Sequence, residues 1–171
     1  EVSVKMNSDQ TAVLIIRRAY EGEDVVLTDL VMRSVQQRWR YPAEFMEWHP
    51  EYIAIGPHHV DSMITNVLEV GGQVVGVYVL RGEPPQMELS RMMIDPAMIG
   101  HGYGRLMWDH ASETARSLGV HLLTIDSDPN AEGFYQRMGA ITVGEQDESP
   151  PMMPGWHVKI MQYSIPPKST F

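Results

Sequence analysis

With 171 residues and 43% hydrophobic content, the chain has the size and apolar content of a single domain spanning 1–171. Zero cysteine excludes a disulfide framework, a thiolate zinc site and a cysteine nucleophile. The net charge of -9 disfavours nucleic-acid binding, because a phosphate backbone attracts Lys and Arg; it would suit a cationic substrate, but it is first of all the charge of an ordinary acidic protein.

In chain order, the pattern predicts a strand over 13–19 and then an amphipathic helix over 23–39. In that helix Leu27, Val31, Val35 and Trp39 recur every fourth residue, with Asp29, Arg33 and Gln37 on the polar face. Residues 42–66 are aromatic, His-rich and weakly periodic, and only a short helix over 43–48 is predicted there. A hairpin follows, with strands 67–70 and 74–80 joined by Gly71-Gly72, whose pair of glycines supplies the positive φ of a tight turn. The segment 74–80 is also the longest apolar stretch, far short of the roughly 20 residues that cross a bilayer. No basic region followed by an apolar run stands at the start, so a soluble, cytoplasmic protein without a membrane partner is expected.

After the loop Gly82-Glu83-Pro84-Pro85 come a strand over 87–95, a glycine-rich turn, a helix over 104–118, a strand over 122–126 and a short helix over 131–138. Two last strands, 141–144 and 158–164, form a hairpin with a long, proline-rich connection, and their edges offer a route to a homodimer. The order is mixed α/β with more strands than helices, and the 13 methionines serve as adaptable core filler.

The glycine-rich turn reads Ile99-Gly100-His101-Gly102-Tyr103-Gly104-Arg105. Glycines remove the Cβ atoms that hold an anion away from the main chain, and they permit the αL conformations of an anion-binding nest at a helix N-terminus. Two phosphate motifs fail here: the P-loop needs Lys and then Ser or Thr after its last glycine, and the dinucleotide fingerprint needs glycine where Arg105 stands. The following helix carries an apolar stripe of Tyr103, Leu106, Met107, His110, Ala111, Thr114, Ala115 and Leu118, opposite Arg105, Asp109, Ser112, Glu113 and Arg116.

Three segments in order, Met87-Glu88-Leu89-Ser90-Arg91-Met92-Met93-Ile94-Asp95-Pro96, then the turn with Leu106-Met107, then Asp128-Pro129-Asn130-Ala131-Glu132-Gly133-Phe134-Tyr135-Gln136-Arg137-Met138-Gly139-Ala140, resemble the GNAT family, the GCN5-related N-acetyltransferases. The resemblance covers 67–144 well and the first half only in its strand-then-helix order. It implies a mostly antiparallel central sheet with a splayed strand pair and flanking helices, acetyl-CoA as co-substrate without a metal, and transfer to a primary amine of a small molecule, a peptide N-terminus or a lysine. A non-catalytic acyl-CoA-binding module on the same fold is the alternative. In one position the chain departs from the family signature, which opens with Arg or Gln where Ile99 stands. That removes a side-chain contact for which His101 or Arg105 could compensate.

The resemblance further implies that main-chain groups of Met92, Met93 and Ile94 meet the pantetheine arm and the acyl carbonyl, and that the turn from Ile99 to Arg105 cradles the pyrophosphate. Tyr135 stands where the family places its general acid, although it also reads as a buried aromatic; Phe134 packs the short helix and lines the cofactor. Asn130 is a helix cap or a cofactor contact. For the base, Glu88 comes first, against a reading as solvated surface, and Asp126 second, against a reading as a cap or turn residue. His49, His58, His59 and Asp61 match no metal-ligand spacing, which leaves a metal-dependent hydrolase as the weakest reading. Trp39, Tyr41, Phe45, Trp48 and Tyr52 read equally as acceptor-pocket lining and as core.

Overall fold

The computed structural model describes residues 12–167 and the backbone of residues 3–6. Contacts divide the chain into two compact units, Glu1–Val79 with Arg91–Met107 and Leu80–Ser90 with Trp108–Phe171. The class is mixed α/β, a mostly antiparallel sheet with flanking helices.

In the first unit, β1 (Ser3–Met6), β2 (Val13–Arg18), β3 (Ile64–Val70), β4 (Gln73–Glu83, from its start to Val79) and the end of β5 (Gln86–Ile94) are neighbours in that order. β2 lies antiparallel to β3 with Leu14 opposite Val70 and Arg18 opposite Asn66. Gly71 (φ +57°) and Gly72 (φ +82°) form the two-residue turn between β3 and β4, as their pairing in the sequence predicts. β4 is buried without interruption from Val75 to Val79 and on to Leu80, so it reads as an apolar run and not as an alternation.

The helix predicted over 23–39 is α-helical only over α1 (Asp24–Arg33) and continues as a π-helical stretch, Ser34–Arg38. Its apolar face is as predicted through Leu27, Val31 and Val35, all fully buried. The predicted helix 43–48 is α2 (Ala43–Trp48), and two further short helices, α3 (Pro50–Ile53) and α4 (Pro57–Ser62), follow where no helix is expected. Short helices are marginal alone, and here two side-chain bonds support them, one from a distant residue and one local. The Ile55 N–H donates to Thr28 Oγ1 (2.9 Å), and the Gly56 N–H donates to His59 Nδ1 (3.0 Å).

In the second unit, β6 (Leu122–Ser127) runs parallel to β5 and antiparallel to β8 (His157–Ser164), and β7 (Ile141–Asp147) pairs antiparallel with β8 at the edge. The β5–β6 ladder covers three pairs, from Gln86–Leu122 to Glu88–Thr124, whereas β6 stays paired with β8 as far as Ser127. The two strands therefore part beyond Glu88 and Thr124, which is the splayed pair. The long helix is α5 (Tyr103–Ser117), of which Tyr103–Met107 belong to the first unit and the rest to the second, and α6 (Glu132–Arg137) follows β6. Along α5 the buried side chains are Tyr103, Met107, Trp108, Ala111, Ser112 and Ala115. The buried stripe is thus rotated from the predicted one: Trp108 and Ser112 are inside, while Leu118 is 45% exposed beyond the helix end.

Gly76 shows how closely β4 approaches its neighbours. A Cβ there would lie 2.8 Å from Ile94 Cδ1, 3.3 Å from Leu68 Cβ and 3.4 Å from the Met93 carbonyl oxygen. Gly76→Ala is expected to displace the Ile94 side chain and to lower stability by about 1–3 kcal/mol, read as a shift of the urea midpoint at unchanged m-value.

Candidate active site

The glycine-rich turn belongs to the first unit and begins where β5 ends. The Asp95 N–H donates to the Val75 carbonyl (2.8 Å), which keeps the residue just beyond the strand against β4. Backbone alternation then turns the N–H and C=O of Met92 and Ile94 away from β4. The Ile94 carbonyl accepts the Ser34 hydroxyl (3.0 Å). One 3₁₀ turn, Pro96–Met98, follows, capped by Asp95 Oδ1, which accepts the Ala97 N–H (2.9 Å).

Gly100 (φ +92°) and Gly102 (φ +79°) take the left-handed conformation that the turn requires, and a Cβ on either would meet nothing within 4 Å. The turn is thus open above its main chain, as a cradle for a phosphate group must be. Gly104 lies inside the first turn of α5, so the left-handed positions are two of the three glycines. Helical bonding begins as the Leu106 N–H donates to the Gly102 carbonyl (3.1 Å), which leaves the preceding amides at the positive end of a helix of 15 residues. Ile99 is 43% exposed. His101 Nδ1 lies 3.1 Å from the Met98 carbonyl oxygen and its ring stacks on Tyr103 at 5.6 Å, so it is engaged within the turn; Arg105 is exposed on α5.

The acceptor-segment aromatics, also in the first unit, divide. Tyr41 and Phe45 are core, with ring centroids 4.7 Å apart, whereas Trp39 and Tyr52 are partly buried and Trp48 is 50% exposed. Arg91, on β5, donates to the Glu51 carbonyl and lies over the Tyr52 ring at 6.0 Å. His59 is buried and closes the start of α4 through the Gly56 N–H. Among the described residues, no three His, Cys, Asp or Glu side chains converge on a metal position.

In the second unit, Glu88 and Asp126 lie on one face of the sheet, because Glu88 is opposite Thr124 and Asp126 is two residues further along β6. Arg81 holds the Glu88 carboxylate, its Nη2 2.5 Å and its Nε 3.1 Å from Oε2. Partial desolvation by the surrounding protein and then the negative charge of Glu88 push the Asp126 carboxyl above the ordinary range, and Arg81 partly opposes this. The turn role that the sequence offers for Asp126 belongs instead to Asp128, a buried residue whose carboxylate accepts the Asn130 N–H (2.7 Å) and whose carbonyl accepts the Ala131 N–H (2.9 Å). Asp128 is the residue that sequence reasoning missed, although Asp-Pro-Asn is a recognisable turn signal. Asn130 itself is exposed and precedes the N-cap position, Ala131.

Tyr135 is buried on α6, with its ring centroid 5.2 Å from Phe134 and 5.8 Å from Trp108. Desolvation and then the nearby Asp128 charge raise its phenol well above the usual value, so it holds its proton throughout the neutral range.

A sequence model of the acetyltransferase (GNAT) family matches residues 29–140, well over half of the chain. The chain belongs to the GNAT family. It is therefore an acyl-CoA-dependent N-acyltransferase by family. Solved structures agree on the fold. The GCN5-related N-acetyltransferase (Aminotransferase, Class-II) of Rhodopseudomonas palustris superposes with a TM-score of 0.72 at 20% identity, over 87% of this chain and 94% of that one. For the ribosomal-protein-S18-alanine N-acetyltransferase of Escherichia coli the TM-score is 0.68 at 14% identity, over 92% and 99% of the two chains. For yncA of Salmonella typhimurium, solved with its cofactor acetyl-CoA, it is 0.65 at 16% identity, over 90% and 94%. A comparison with curated proteins returns no match.

The open turn generates a direct expectation. Gly102→Val combines a strained φ with a side chain over the cradle, and is expected to weaken CoA binding at least about tenfold, measured by isothermal titration against the wild type.

Proposed function

We propose that residues 1–171 act as one N-acetyltransferase domain, moving the acetyl group of acetyl-CoA to a primary amine by direct attack. The observation that carries this reading is the open, left-handed turn at Gly100 and Gly102, placed between a strand that leaves its ladder and the N-terminus of α5. Membership of the acetyltransferase family supports it. In this reading main-chain groups of Ile99, Gly100, His101, Gly102, Tyr103, Gly104 and Arg105 hold the pyrophosphate. Met92, Met93 and Ile94 hold the pantetheine arm, and an N–H on that strand polarises the thioester carbonyl. Asn130 and Phe134 complete the cofactor contacts. The bound co-substrate supplies an acyl group activated as a thioester.

The acceptor nitrogen arrives protonated, with a pKa of about 10.4 for an alkylamine, and a carboxylate must take that proton before a C–N bond can form. Glu88 is the first candidate by position, but its carboxylate is engaged by Arg81, and Asp126 carries the raised pKa that suits a base. We therefore assign the proton to Asp126, directly or through water, with Glu88 and Arg81 tuning it. As the C–S bond breaks, the Tyr135 hydroxyl donates its proton to the departing sulfur; burial keeps the phenol protonated until then, and its raised pKa makes this the harder of the two proton transfers. The acceptor is a small molecule, a peptide N-terminus or a lysine, and the net charge of -9 favours cationic amines over nucleic acid. We place the protein in the cytoplasm, and take β7, exposed along its whole length, as the edge through which two copies pair.

Thiol release from acetyl-CoA over a panel of amines tests the reaction; CoA binding without turnover on any amine would assign the chain to the non-catalytic alternative. Tyr135→Phe is expected to lower kcat about 10²-fold with little change in the KM for acetyl-CoA, and unchanged kcat would move the acid elsewhere. Asp126 must be ionised to act, so activity falls as pH falls through its raised pKa. Glu88→Gln removes one cause of that rise and should move the acidic limb of the kcat/KM profile to lower pH, whereas Arg81→Gln should move it higher. Abolished turnover in Glu88→Gln would instead make Glu88 the base.

A further inference from the structure

Asp95 stands at the entrance to the turn, where a carboxylate has the wrong sign for a pyrophosphate site. Each of its polar groups is nevertheless used to shape the junction. Its N–H donates to the Val75 carbonyl, its carbonyl accepts the Met98 N–H (2.8 Å), Oδ1 accepts the Ala97 N–H, and Oδ2 accepts Arg33 Nη1. Arg33 reaches it from the last turn of α1, and its Nε also donates to Asp29 (2.9 Å). The next residue, Ser34, opens the π-helical stretch and donates to the Ile94 carbonyl, so two successive residues grip two successive residues of the β5 end.

We propose that Arg33 is a positioning residue for cofactor binding, which cancels the charge of Asp95 so that this carboxylate can shape the turn without repelling the pyrophosphate. The proposal rests on the reading of the turn as the CoA pyrophosphate site. The electrostatics are consistent with it. Burial works against the ionised Asp95 carboxylate, yet the Arg33 guanidinium and the Ala97 amide outweigh it and hold the carboxyl below its ordinary range. Asp95 accordingly keeps its negative charge throughout the neutral range, and only a paired cation can neutralise it. With Arg33 removed, an uncompensated negative charge a few residues from Gly100 faces an incoming dianion. Charge cancellation also separates this role from simple packing, because packing lost with Arg33 cannot be restored by removing Asp95's charge as well.

The test is isothermal titration of CoA into folded wild type and variants, with the CoA-induced rise in melting temperature as a second readout. Arg33→Gln is expected to raise the Kd for CoA about tenfold, with the deficit shrinking as salt is added. Arg33→Lys, which keeps the charge, should stay within about threefold of wild type. Asp95→Asn keeps Oδ1 for Ala97, and the double variant Arg33→Gln/Asp95→Asn should return to within about threefold of wild type. A wild-type Kd in Arg33→Gln overturns the proposal, and so does a double variant no better than Arg33→Gln alone. If Arg33→Gln does not fold, the Arg33→Lys and Asp95→Asn arms decide it, since a tenfold loss in either contradicts charge cancellation. Wild-type protein that binds no CoA overturns the reading of the turn itself.

Discussion

A strand that leaves its neighbour must place its backbone donors and acceptors elsewhere, because a buried amide without a partner costs about as much as a lost hydrogen bond. β5 meets this constraint after Glu88, where its ladder with β6 ends. On one side its end remains tied to β4, through the Asp95 N–H on Val75 one residue beyond the strand, with Gly76 allowing the close approach. On the other, the Ile94 carbonyl takes the Ser34 hydroxyl. The remaining outward-facing groups, of Met92 and Ile94, are those assigned to an extended ligand. A splayed strand is thereby held in place without being closed, and the glycine-rich turn begins from a junction that α1 has already fixed.

The change from α-helix to π-helix at Ser34 has a structural counterpart. π-helical stretches widen a helix by one residue and are found disproportionately at functional sites. Here the change coincides with the residues that reach β5, Arg33 and Ser34, while Leu27, Val31 and Val35 keep the other face of the same element in the core. A single helical segment thus provides both core packing and the clasp on the turn.

The second unit separates two acid–base environments. Tyr135 is enclosed by Trp108 and Phe134 beside the buried Asp128, conditions that keep a phenol protonated. Asp126 lies near the end of β6 on the same face as Glu88, where desolvation and then a second carboxylate raise its pKa and one arginine moderates it. One group that carries a proton throughout the neutral range and one that takes a proton up more readily than an ordinary carboxylate are the donor and the acceptor proposed for amine acylation. Arg81 has a double part, since it engages one carboxylate and tempers the other.

The features legible in the sequence are those set by local chemistry. Gly71 and Gly72 announce their turn because few other residues adopt positive φ, and β4 is readable because a strand buried on both faces is an unbroken apolar run. The glycines at 100 and 102 and the Asn130 to Ala140 segment carry the family resemblance for the same reason. Three features were decided by which groups meet in the folded chain. α3 and α4 lack periodicity of their own and depend on Thr28 and on the Gly56–His59 bond. Trp108 and Ser112 are buried because the packing partners of α5 set its rotation, which apolar spacing leaves loose. The turn role passed from Asp126 to Asp128, since cap and base assignments depend on which carboxylate reaches which amide. The sequence by itself thus determined the order of the strands from β2 onward, the glycine-rich turn and the family. Only the tertiary structure decided how Arg33, 62 residues from Asp95, comes to neutralise it, because side-chain charge pairing across such a separation leaves no local pattern to read.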